Sequence, residues 1–423
     1  MKYILVIGSG RSSSVLIEYL INYSKKNDIF LTILDQYENK FLQQFSKFDN
    51  FKNLVHNINN NDFRRNEIER ADLVISMLPP SFHTLIAKDC IDYKKNLITA
   101  SYVSDEMKSL NSIAKEAGIL ILNEIGLDPG IDHISAMSII DSLKKENKKI
   151  TSFKSFCGGL IAPESCNNPW GYKFTWNPKN VVLAGKDGAR YLKNGTIKKI
   201  SYDEVFKTTE SVFIPNFGNF ESYPNRDSLH YKEKYKLDEV QTLVRGTLRK
   251  KDFASAWDFL VNIGFTSFDE SREMITKDVY LDKLKMIKDK KILEMLNYLD
   301  FFDLKFKNSK SNGQILQNTL EKKWKLQTQD KDMIVMQHKF EFEKGNIKQR
   351  LYSSMAIIGS DSIRTAMAKT VGLPIFFAAK LILEGKVSLR GVRIPVHKEL
   401  YMPILKSLEK EGIKFIESTE QIN

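Results

Sequence analysis

Residues 3–20 read YILVIGSGRSSSVLIEYL, an apolar run that passes through Gly8-Ser9-Gly10 directly into a segment with helical spacing. Glycines at such a corner let the backbone turn tightly and approach a pyrophosphate, which then lies against the free amides of the helix N-terminus. The third glycine of the G-x-G-x-x-G pattern is replaced by Ser13. Because a tight turn needs glycine with or without a ligand, Gly8 and Gly10 alone do not decide that a dinucleotide binds here.

The first 126 residues alternate between short apolar runs and segments with the three-to-four spacing of helices. Six apolar runs carry this alternation, at 3–8, 30–34, 54–58, 73–78, 97–100 and 118–122. The repetition predicts an α/β fold, a Rossmann-type doubly wound parallel sheet with helices on both faces. The Asn-rich segment 56–66 is predicted to be a loop.

Beyond residue 130 the pattern changes to strand-like segments of a mixed α+β domain, with Gly345-Asn346 as a hairpin turn. The charged segment at about 271–325 is predicted to be a small helical subdomain. We therefore expect two domains. Residues 1–127 would bind the dinucleotide, completed by the C-terminal segment 370–423, and residues 128–369 would bind substrate and form a dimer.

Asp35 ends the second predicted strand, 25 residues after Gly10. An acid at this place accepts hydrogen bonds from the ribose hydroxyls of NAD and repels the extra phosphate of NADP. No arginine follows immediately to offset that repulsion. The sequence thus favours NAD over NADP, and the alternative interpretation is that Asp35 is a solvated acid in a turn.

Ligands of doubly wound sheets bind outside the carboxyl ends of the strands. The fourth predicted strand ends in SMLPPSFH (76–83), the fifth leads to Ser101 and Tyr102, and the sixth to NEIGLDPGIDH (123–133). Asp128 can be the cap of a helix with Pro129 in its first position and can at the same time be a residue of an active site. His133 is equally open between a partly buried structural histidine and a catalytic group.

The formal net charge of +12 is spread over segments that also carry glutamates. This indicates solvated surface rather than a nucleic-acid-binding stripe, although a small polyanionic substrate would profit from the same field. Three scattered cysteines and six histidines show no disulfide framework and no metal-ligand spacing, so no metal is expected. We find no signal peptide and no apolar run of about 20 residues, and expect a cytoplasmic protein without membrane contact.

Several long motifs resemble one family. They are LDPGIDH (127–133), CGGLIAPESCNNPWGYKFTW (157–176), YPNRDS (223–228), RGTLR (245–249) and TAMAKTVGLP (365–374). In this order they resemble the saccharopine dehydrogenase family, glutamate-forming branch, also called saccharopine reductase. The resemblance implies NAD- or NADP-dependent oxidation of the secondary amine of saccharopine, which gives 2-aminoadipate 6-semialdehyde and L-glutamate, and it implies a homodimer.

The resemblance also implies site residues. Contacts to the cofactor are expected from the glycine corner and from residues that follow the predicted strands: Gly8, Gly10, Arg11, Ser12, Ser13, Asp35, Gln36, Tyr37, Asn57, Ile58, Leu78, Ala100, Ser101, Leu127, Asp128 and Pro129. Contacts to the substrate are expected from both parts of the chain: Ser101, Tyr102, Asp128, Phe174, Arg226, Thr247, Leu248 and Arg249.

The three carboxylates of saccharopine need cationic partners, and arginine supplies these with two parallel donors. Arg226 and Arg249 are the first candidates and Arg245 the next. Asp128 is expected to hold the reacting amine. The general base stays open among four residues, with Asp128 first: Tyr102, Asp128, His133 and Cys157.

Four residues depart from the usual pattern of the family: Ile161 for proline, Trp170 for leucine, Thr175 for serine, and Lys250 where an aromatic residue commonly follows RGTLR. None removes a charged contact. The nearest rival function is an imine-reducing synthase such as carboxynorspermidine synthase, which needs fewer carboxylate-binding groups. A non-catalytic dinucleotide-binding protein and a basic nucleic-acid binder are the rivals from other classes.

Overall fold

The computed structural model describes residues 1–300 and 309–422. They divide into two compact units. The first unit comprises Met1–Asp141 and Ile363–Lys414, and the second comprises Ser142–Ser362 and Phe415–Asn423. Each unit is built around its own sheet.

The elements up to residue 145 alternate as the sequence predicts. The strands are β1 (Lys2–Ile7), β2 (Ile29–Asp35), β3 (Phe51–Val55), β4 (Leu73–Ser76), β5 (Asn96–Thr99) and β6 (Leu120–Leu122). The helices are α1 (Ser14–Ser24), α2 (Lys40–Gln43), α3 (Asn61–Arg70), α4 (Pro80–Asp92), α5 (Asp105–Ser109), α6 (Asn111–Glu116) and α7 (Ile131–Lys145).

From residue 149 to residue 358 strands predominate. They are β7 (Lys149–Ile161), β8 (Ala189–Lys193), β9 (Thr196–Ile200), β10 (Glu210–Ile214), β11 (Gly218–Pro224), β12 (Arg226–Asp227), β13 (Thr242–Arg249), β14 (Asp332–Lys344) and β15 (Ile347–Ile358). The helices are α8 (Pro178–Val182), α9 (Tyr202–Val205), α10 (His230–Lys234), α11 (Phe253–Asn262), α12 (Lys277–Leu284), α13 (Lys290–Leu299) and α14 (Asn312–Lys323). The chain then continues with α15 (Ala366–Leu383), β16 (Gly391–Arg393), α16 (Lys398–Lys410) and β17 (Ile416–Ile422).

The first unit is a parallel sheet with the strand order β16-β6-β5-β4-β1-β2-β3. All six strands that the apolar runs predicted are present and parallel, so the Rossmann-type prediction is confirmed. The strand order reverses between β1 and β4, and open sheets of this kind bind ligands at that point. Central strands such as β4 are buried along their whole length because helices cover both faces.

Two local predictions for the first unit were incomplete. The segment 56–66 was predicted to be a loop, but α3 begins at Asn61, where the side chain of Asn60 accepts a hydrogen bond from the Phe63 amide and caps the helix. The three-residue strand β16 was not predicted, and it pairs in parallel with β6.

The second unit is a mixed sheet whose main path is β10-β11-β13-β7-β14-β15-β17. The predicted hairpin is confirmed: β14 and β15 are antiparallel, and Lys344 pairs with Ile347 across Gly345-Asn346. Of the predicted helical segment 271–325, the structure describes α12, α13 and α14, whereas residues 301–308 lie outside the described residues.

The C-terminal segment is shared between the sheets. Helix α15 and strand β16 belong to the first unit, whereas β17 pairs with β15 in the mixed sheet. The sequence assigns the segment 370–423 as a whole to the dinucleotide-binding domain, whereas its last strand belongs to the second unit. By length and composition α15 is apolar enough to cross a membrane, and 61% of it is buried inside the protein, as is usual for a core helix.

Candidate active site

The corner between β1 and α1 has open space next to the N-terminus of the helix. Gly8 has φ 101°, and a Cβ there would lie 2.9 Å from the backbone carbon of Met77, just after the neighbouring strand β4. Around Gly10 the situation is the opposite, because no heavy atom of the described residues lies within 4 Å of a Cβ built there. The exposed Gly10 therefore leaves open space in front of the helix.

Ser13, which replaces the third glycine, stabilises the turn at this corner. Its Oγ donates to the carbonyl of Gly10 at 2.7 Å, and its amide donates to the same carbonyl at 3.0 Å. Ser13 is buried and Ser12 half-buried, while Arg11 is exposed beside the open space. The corner thus keeps its form without a glycine at position 13.

Asp35 is fixed to the same corner. Its Oδ2 accepts hydrogen bonds from the amide and the hydroxyl of Ser9 at 2.7 and 2.9 Å, and its Oδ1 accepts from the Tyr37 amide at 3.1 Å. These three hydrogen bonds orient the carboxylate next to the glycine corner. A solvated turn acid is not expected to be held in this way. Gln36 and Tyr37 are exposed beyond it. After β3, Asn57 is exposed and Ile58 is buried.

Tyr102 and Asp128, the two predicted catalytic residues, are in contact. The Tyr102 hydroxyl donates to Asp128 Oδ1 at 3.1 Å. Both residues are half-buried, and they follow the neighbouring strands β5 and β6. Leu78, Ala100 and Ser101 are half-buried at the ends of β4 and β5, while Leu127 and Pro129 are buried beside Asp128.

The interpretation of Asp128 as the cap of a helix is wrong. Helix α7 begins only at Ile131, and Asp128 and Pro129 lie in the tight turn that closes between Gly126 and Gly130. Gly130 is required there, because with φ 147° a Cβ would lie 2.0 Å from the carbonyl oxygen of Gly126. It is Asp132 that accepts the hydrogen bond from the Gly130 amide.

His133 has a buried acidic partner. Its Nε2 lies 2.8 Å from Glu124 Oε2, and the two side chains are 0% and 1% exposed. The other oxygen of Glu124 accepts a hydrogen bond from the Val103 amide at 3.0 Å. Glu124 therefore ties the start of α7 to the loop that carries Ser101 and Tyr102, a structural role for the pair.

His83 was missed as a site residue by sequence reasoning. Its Nδ1 lies 2.9 Å from Ser76 Oγ, and its Nε2 lies 2.8 Å from Ser101 Oγ. Burial lowers the pKa of His83 to about 4, so the imidazole is neutral at pH 7. The available signal was its place one turn into the helix that follows β4, in SMLPPSFH.

In the second unit, three adjacent strands place Tyr223, Thr247 and Cys157 in one row. Tyr223 of β11 pairs with Thr247 of β13, which pairs in turn with Cys157 of β7. Arg249 lies two residues after Thr247 on the same face of β13. The row therefore brings together a predicted substrate residue and one of the base candidates.

Arg249 is a buried cation among aromatic rings. The residue is 4% exposed, and its guanidinium carbon lies 4.9 Å from the ring centroid of Tyr172 and 5.3 Å from that of Phe253. Its Nη1 donates to the Leu248 carbonyl, but its Nε has no hydrogen-bond partner. No carboxylate of residues 1–300 or 309–422 forms a salt bridge with Arg249. Burial raises the pKa of the neighbouring Tyr223, so the phenol of Tyr223 stays neutral.

The other predicted substrate residues differ in position. Phe174 is buried, with its ring centroid 5.4 Å from that of Trp324 in the aromatic cluster around Arg249. Leu248 is buried and Thr247 is half-buried. Arg226 is exposed on β12 with φ 54°, whereas Arg245 is buried 4.3 Å above the ring of Tyr231.

Two family models together match most of the sequence. The model for the saccharopine dehydrogenase NADP binding domain matches residues 4–122, and the model for the saccharopine dehydrogenase C-terminal domain matches residues 126–413. This chain belongs to the saccharopine dehydrogenase family. The resemblance that the motifs indicated is thereby confirmed.

Similar proteins cover nearly the whole chain. Saccharopine dehydrogenase [NADP(+), L-glutamate-forming] of Pyricularia oryzae is 38% identical over 82% of this chain and 84% of its own length. The mitochondrial alpha-aminoadipic semialdehyde synthase of Rattus norvegicus is 35% identical over 98% of this chain, which spans 47% of that protein. The apo structure of L-Glu-forming saccharopine dehydrogenase from Saccharomyces cerevisiae superposes with a TM-score of 0.89 at 31% identity, covering 99% of this chain and 100% of the yeast chain.

The names of these saccharopine dehydrogenase relatives bear on the cofactor. The matched domain is named for NADP, and so is the relative from Pyricularia oryzae. These names support NADP as the dinucleotide and do not support the predicted preference for NAD. Among the described residues there is no group of three or more His, Cys, Asp or Glu side chains that could hold a metal ion.

Proposed function

We propose that this protein is an L-glutamate-forming saccharopine dehydrogenase. Two carbons flank the secondary nitrogen of saccharopine, and the one that becomes the aldehyde carbon of the semialdehyde loses a hydride. The nitrogen loses a proton, which gives an imine. Water then adds to the imine carbon, and breakage of the carbon–nitrogen bond releases 2-aminoadipate 6-semialdehyde and L-glutamate. The observation that carries this proposal is the contact between Tyr102 and Asp128 at the carboxyl ends of β5 and β6, in a chain that relatives of that name match along nearly its whole length.

Asp128 is suited to a substrate amine. Its carboxylate is half-buried and oriented by the Tyr102 hydroxyl, so it meets a cationic amine with a charge-assisted hydrogen bond. The Tyr102 hydroxyl donates its hydrogen bond to this carboxylate. The general base stays open among Tyr102, Asp128 and Cys157. The contact of His133 with Glu124 favours a structural role for that histidine.

Arg249 is suited to a substrate carboxylate. A buried guanidinium without a counter-charge is costly, and a carboxylate that binds to it repays part of that cost. The aromatic rings of Tyr172 and Phe253 support the cation but cannot neutralise it. This favours a substrate with carboxylates over the amine-rich substrate of a polyamine synthase. The exposed Arg226 is proposed as a second carboxylate-binding residue on the family motif alone.

The residues of the glycine corner fit a nicotinamide dinucleotide. When it is bound, the dinucleotide supplies the hydride acceptor. Gly10 leaves room for a pyrophosphate, Ser13 keeps the corner closed, and Asp35 is held where it can accept hydrogen bonds from ribose hydroxyls. We propose that NAD is preferred over NADP. The negative charge of Asp35 supports that preference, against the NADP of the relatives' names.

The direct test is spectrophotometric. Purified protein is mixed with saccharopine and either NAD or NADP at alkaline pH, and the absorbance of the reduced dinucleotide is followed. We expect turnover with both and a higher kcat/KM with NAD. No turnover with either dinucleotide in either direction overturns the proposal. Turnover with a carboxylated polyamine imine instead would favour the rival synthase.

Three further expectations stay predictions. They are a homodimer, a cytoplasmic location and, as a consequence of the proposed preference for NAD, the oxidative, lysine-degrading direction. The apparent mass in solution tests the first. The ratio of forward to reverse turnover at cellular concentrations tests the third.

A further inference from the structure

His83 is a buried polar residue that lies outside the family motifs and has no part in the proposed chemistry. It lies on α4, and it is 4% exposed. Its two ring nitrogens contact hydroxyls at the ends of two adjacent parallel strands: Ser76 of β4 at 2.9 Å, and Ser101 just after β5 at 2.8 Å. The Thr99 hydroxyl lies 3.2 Å from Nε2 as well.

The contact restricts what Ser101 can do. A serine hydroxyl rotates freely unless a partner fixes it. A neutral imidazole has one donor and one acceptor nitrogen, and a buried position makes loss of either partner costly. The backbone of Ser101 is held as well, since its amide donates to Thr99 Oγ1 at 3.3 Å and its carbonyl accepts from the Glu124 amide at 3.0 Å. Only the side-chain torsion of Ser101 is left, and His83 fixes it.

Ser101 is a residue from which both cofactor and substrate contacts are expected, and it immediately precedes Tyr102. It is half-buried, and its hydroxyl contacts His83 Nε2. Burial keeps the imidazole neutral, so the ring acts through hydrogen bonds and not through charge. The chain Ser76–His83–Ser101 thereby extends from the interior of the sheet to its ligand-binding edge.

We propose that His83 is a positioning residue, which orients the Ser101 hydroxyl toward bound ligand through its Nε2. This inference rests on the proposed function for its substrate and deepens it by one residue. His83 itself needs no contact with saccharopine or dinucleotide. Replacing His83 should therefore affect ligand binding and turnover only through the Ser101 hydroxyl.

The test is a double-mutant cycle between His83 and Ser101. His83→Leu removes the hydrogen bond, His83→Gln restores a side-chain donor and acceptor, and Ser101→Ala removes the hydroxyl. We expect His83→Leu and Ser101→Ala each to lower kcat/KM by about tenfold, and the double variant to be no worse than Ser101→Ala. His83→Gln should recover part of the loss.

A second readout keeps the test independent of turnover. The dissociation constant of the dinucleotide, measured from protein fluorescence without saccharopine, should rise in both single variants and not multiply in the double variant. Cys90→Ala is the matched control, since Cys90 is fully buried on the same helix. It should lower the melting temperature and leave both readouts unchanged.

The outcomes test the role of His83 separately from the proposed function. If the effects of His83→Leu and Ser101→Ala multiply in both readouts, or if His83→Leu matches the wild type within about twofold, the role of His83 is wrong. If the wild-type protein binds dinucleotide but does not oxidise saccharopine, the proposed function fails, and the dinucleotide cycle still decides on His83. If His83→Leu fails to fold, the comparison of His83→Gln with Ser101→Ala takes its place.

Discussion

The hydroxyl of Tyr102 donates a hydrogen bond of 3.1 Å to Oδ1 of Asp128. The two residues follow neighbouring parallel strands, 26 positions apart in the chain. A carboxylate that a phenol orients at the ligand-binding edge of a doubly wound sheet is a binding group for a cationic amine. This contact is the centre of the proposed chemistry.

Asp128→Asn removes the negative charge and keeps the size of the side chain. We expect kcat with saccharopine to fall by about a hundredfold, because the reacting amine loses its charged partner, while the dinucleotide still binds. Steady-state kinetics and dinucleotide titration measure the two effects. Asp105→Asn, at an exposed position on α5, is the control. Near-normal turnover and substrate affinity in Asp128→Asn would show that the carboxylate does not orient the amine.

Arg249→Met removes the buried cation. We expect the KM for saccharopine to rise by about a hundredfold, because a substrate carboxylate loses its partner. The free energy of unfolding should stay the same or increase, because a buried charge without a counter-ion no longer has to be desolvated. Kinetics and chemical denaturation measure these quantities, with the exposed Arg272→Met as control. A clear loss of stability with unchanged KM would mean that Arg249 serves the fold alone.

Asp35→Asn keeps an oxygen for the Ser9 amide and removes the charge. We expect the wild type to prefer NAD, and the variant to shift the ratio of kcat/KM toward NADP by about tenfold. The exposed Asp49→Asn should leave the ratio unchanged. A wild-type preference for NADP, as in the names of the relatives, would contradict the role given to Asp35.

The buried His83 predicts a dependence of stability on pH. Its pKa is about 4 in the folded protein and about 6.5 when unfolded, so below pH 6.5 the unfolded chain binds more protons and folding weakens until about pH 4. Between pH 8 and pH 5 the wild type should lose about 2 kcal/mol of unfolding free energy that His83→Gln does not lose. Denaturation curves at the two pH values measure this difference. Equal losses in both proteins would show that His83 is not buried in its neutral form.

The parallel sheet was predictable because its strands are short apolar runs, which are recognisable one by one. Strand β16 was not, since Gly391–Arg393 is only three residues long and becomes a strand through its pairing with β6. Helix α3 was missed at its start because asparagine suggests a loop, and here Asn60 caps a helix. In each case a contact decided what local composition left open.

The candidate site was predictable where its residues stand in motifs. Tyr102 and Asp128 could be singled out from strand ends, but their contact depends on the turn between Gly126 and Gly130. His83 could not be recognised as a site residue, because its partners Ser76 and Ser101 lie far apart in the sequence, on β4 and just after β5. The structural role of His133 likewise depends on its buried contact with Glu124.

The most direct measurement is the stoichiometry of products. The protein is incubated with saccharopine and NAD, and the reduced dinucleotide, glutamate and 2-aminoadipate 6-semialdehyde are quantified by absorbance and mass spectrometry. We expect one glutamate and one semialdehyde for each dinucleotide reduced. Lysine and 2-oxoglutarate as products, which would arise from oxidation at the other carbon of the secondary amine, or no reduction of either NAD or NADP, would contradict the proposed function.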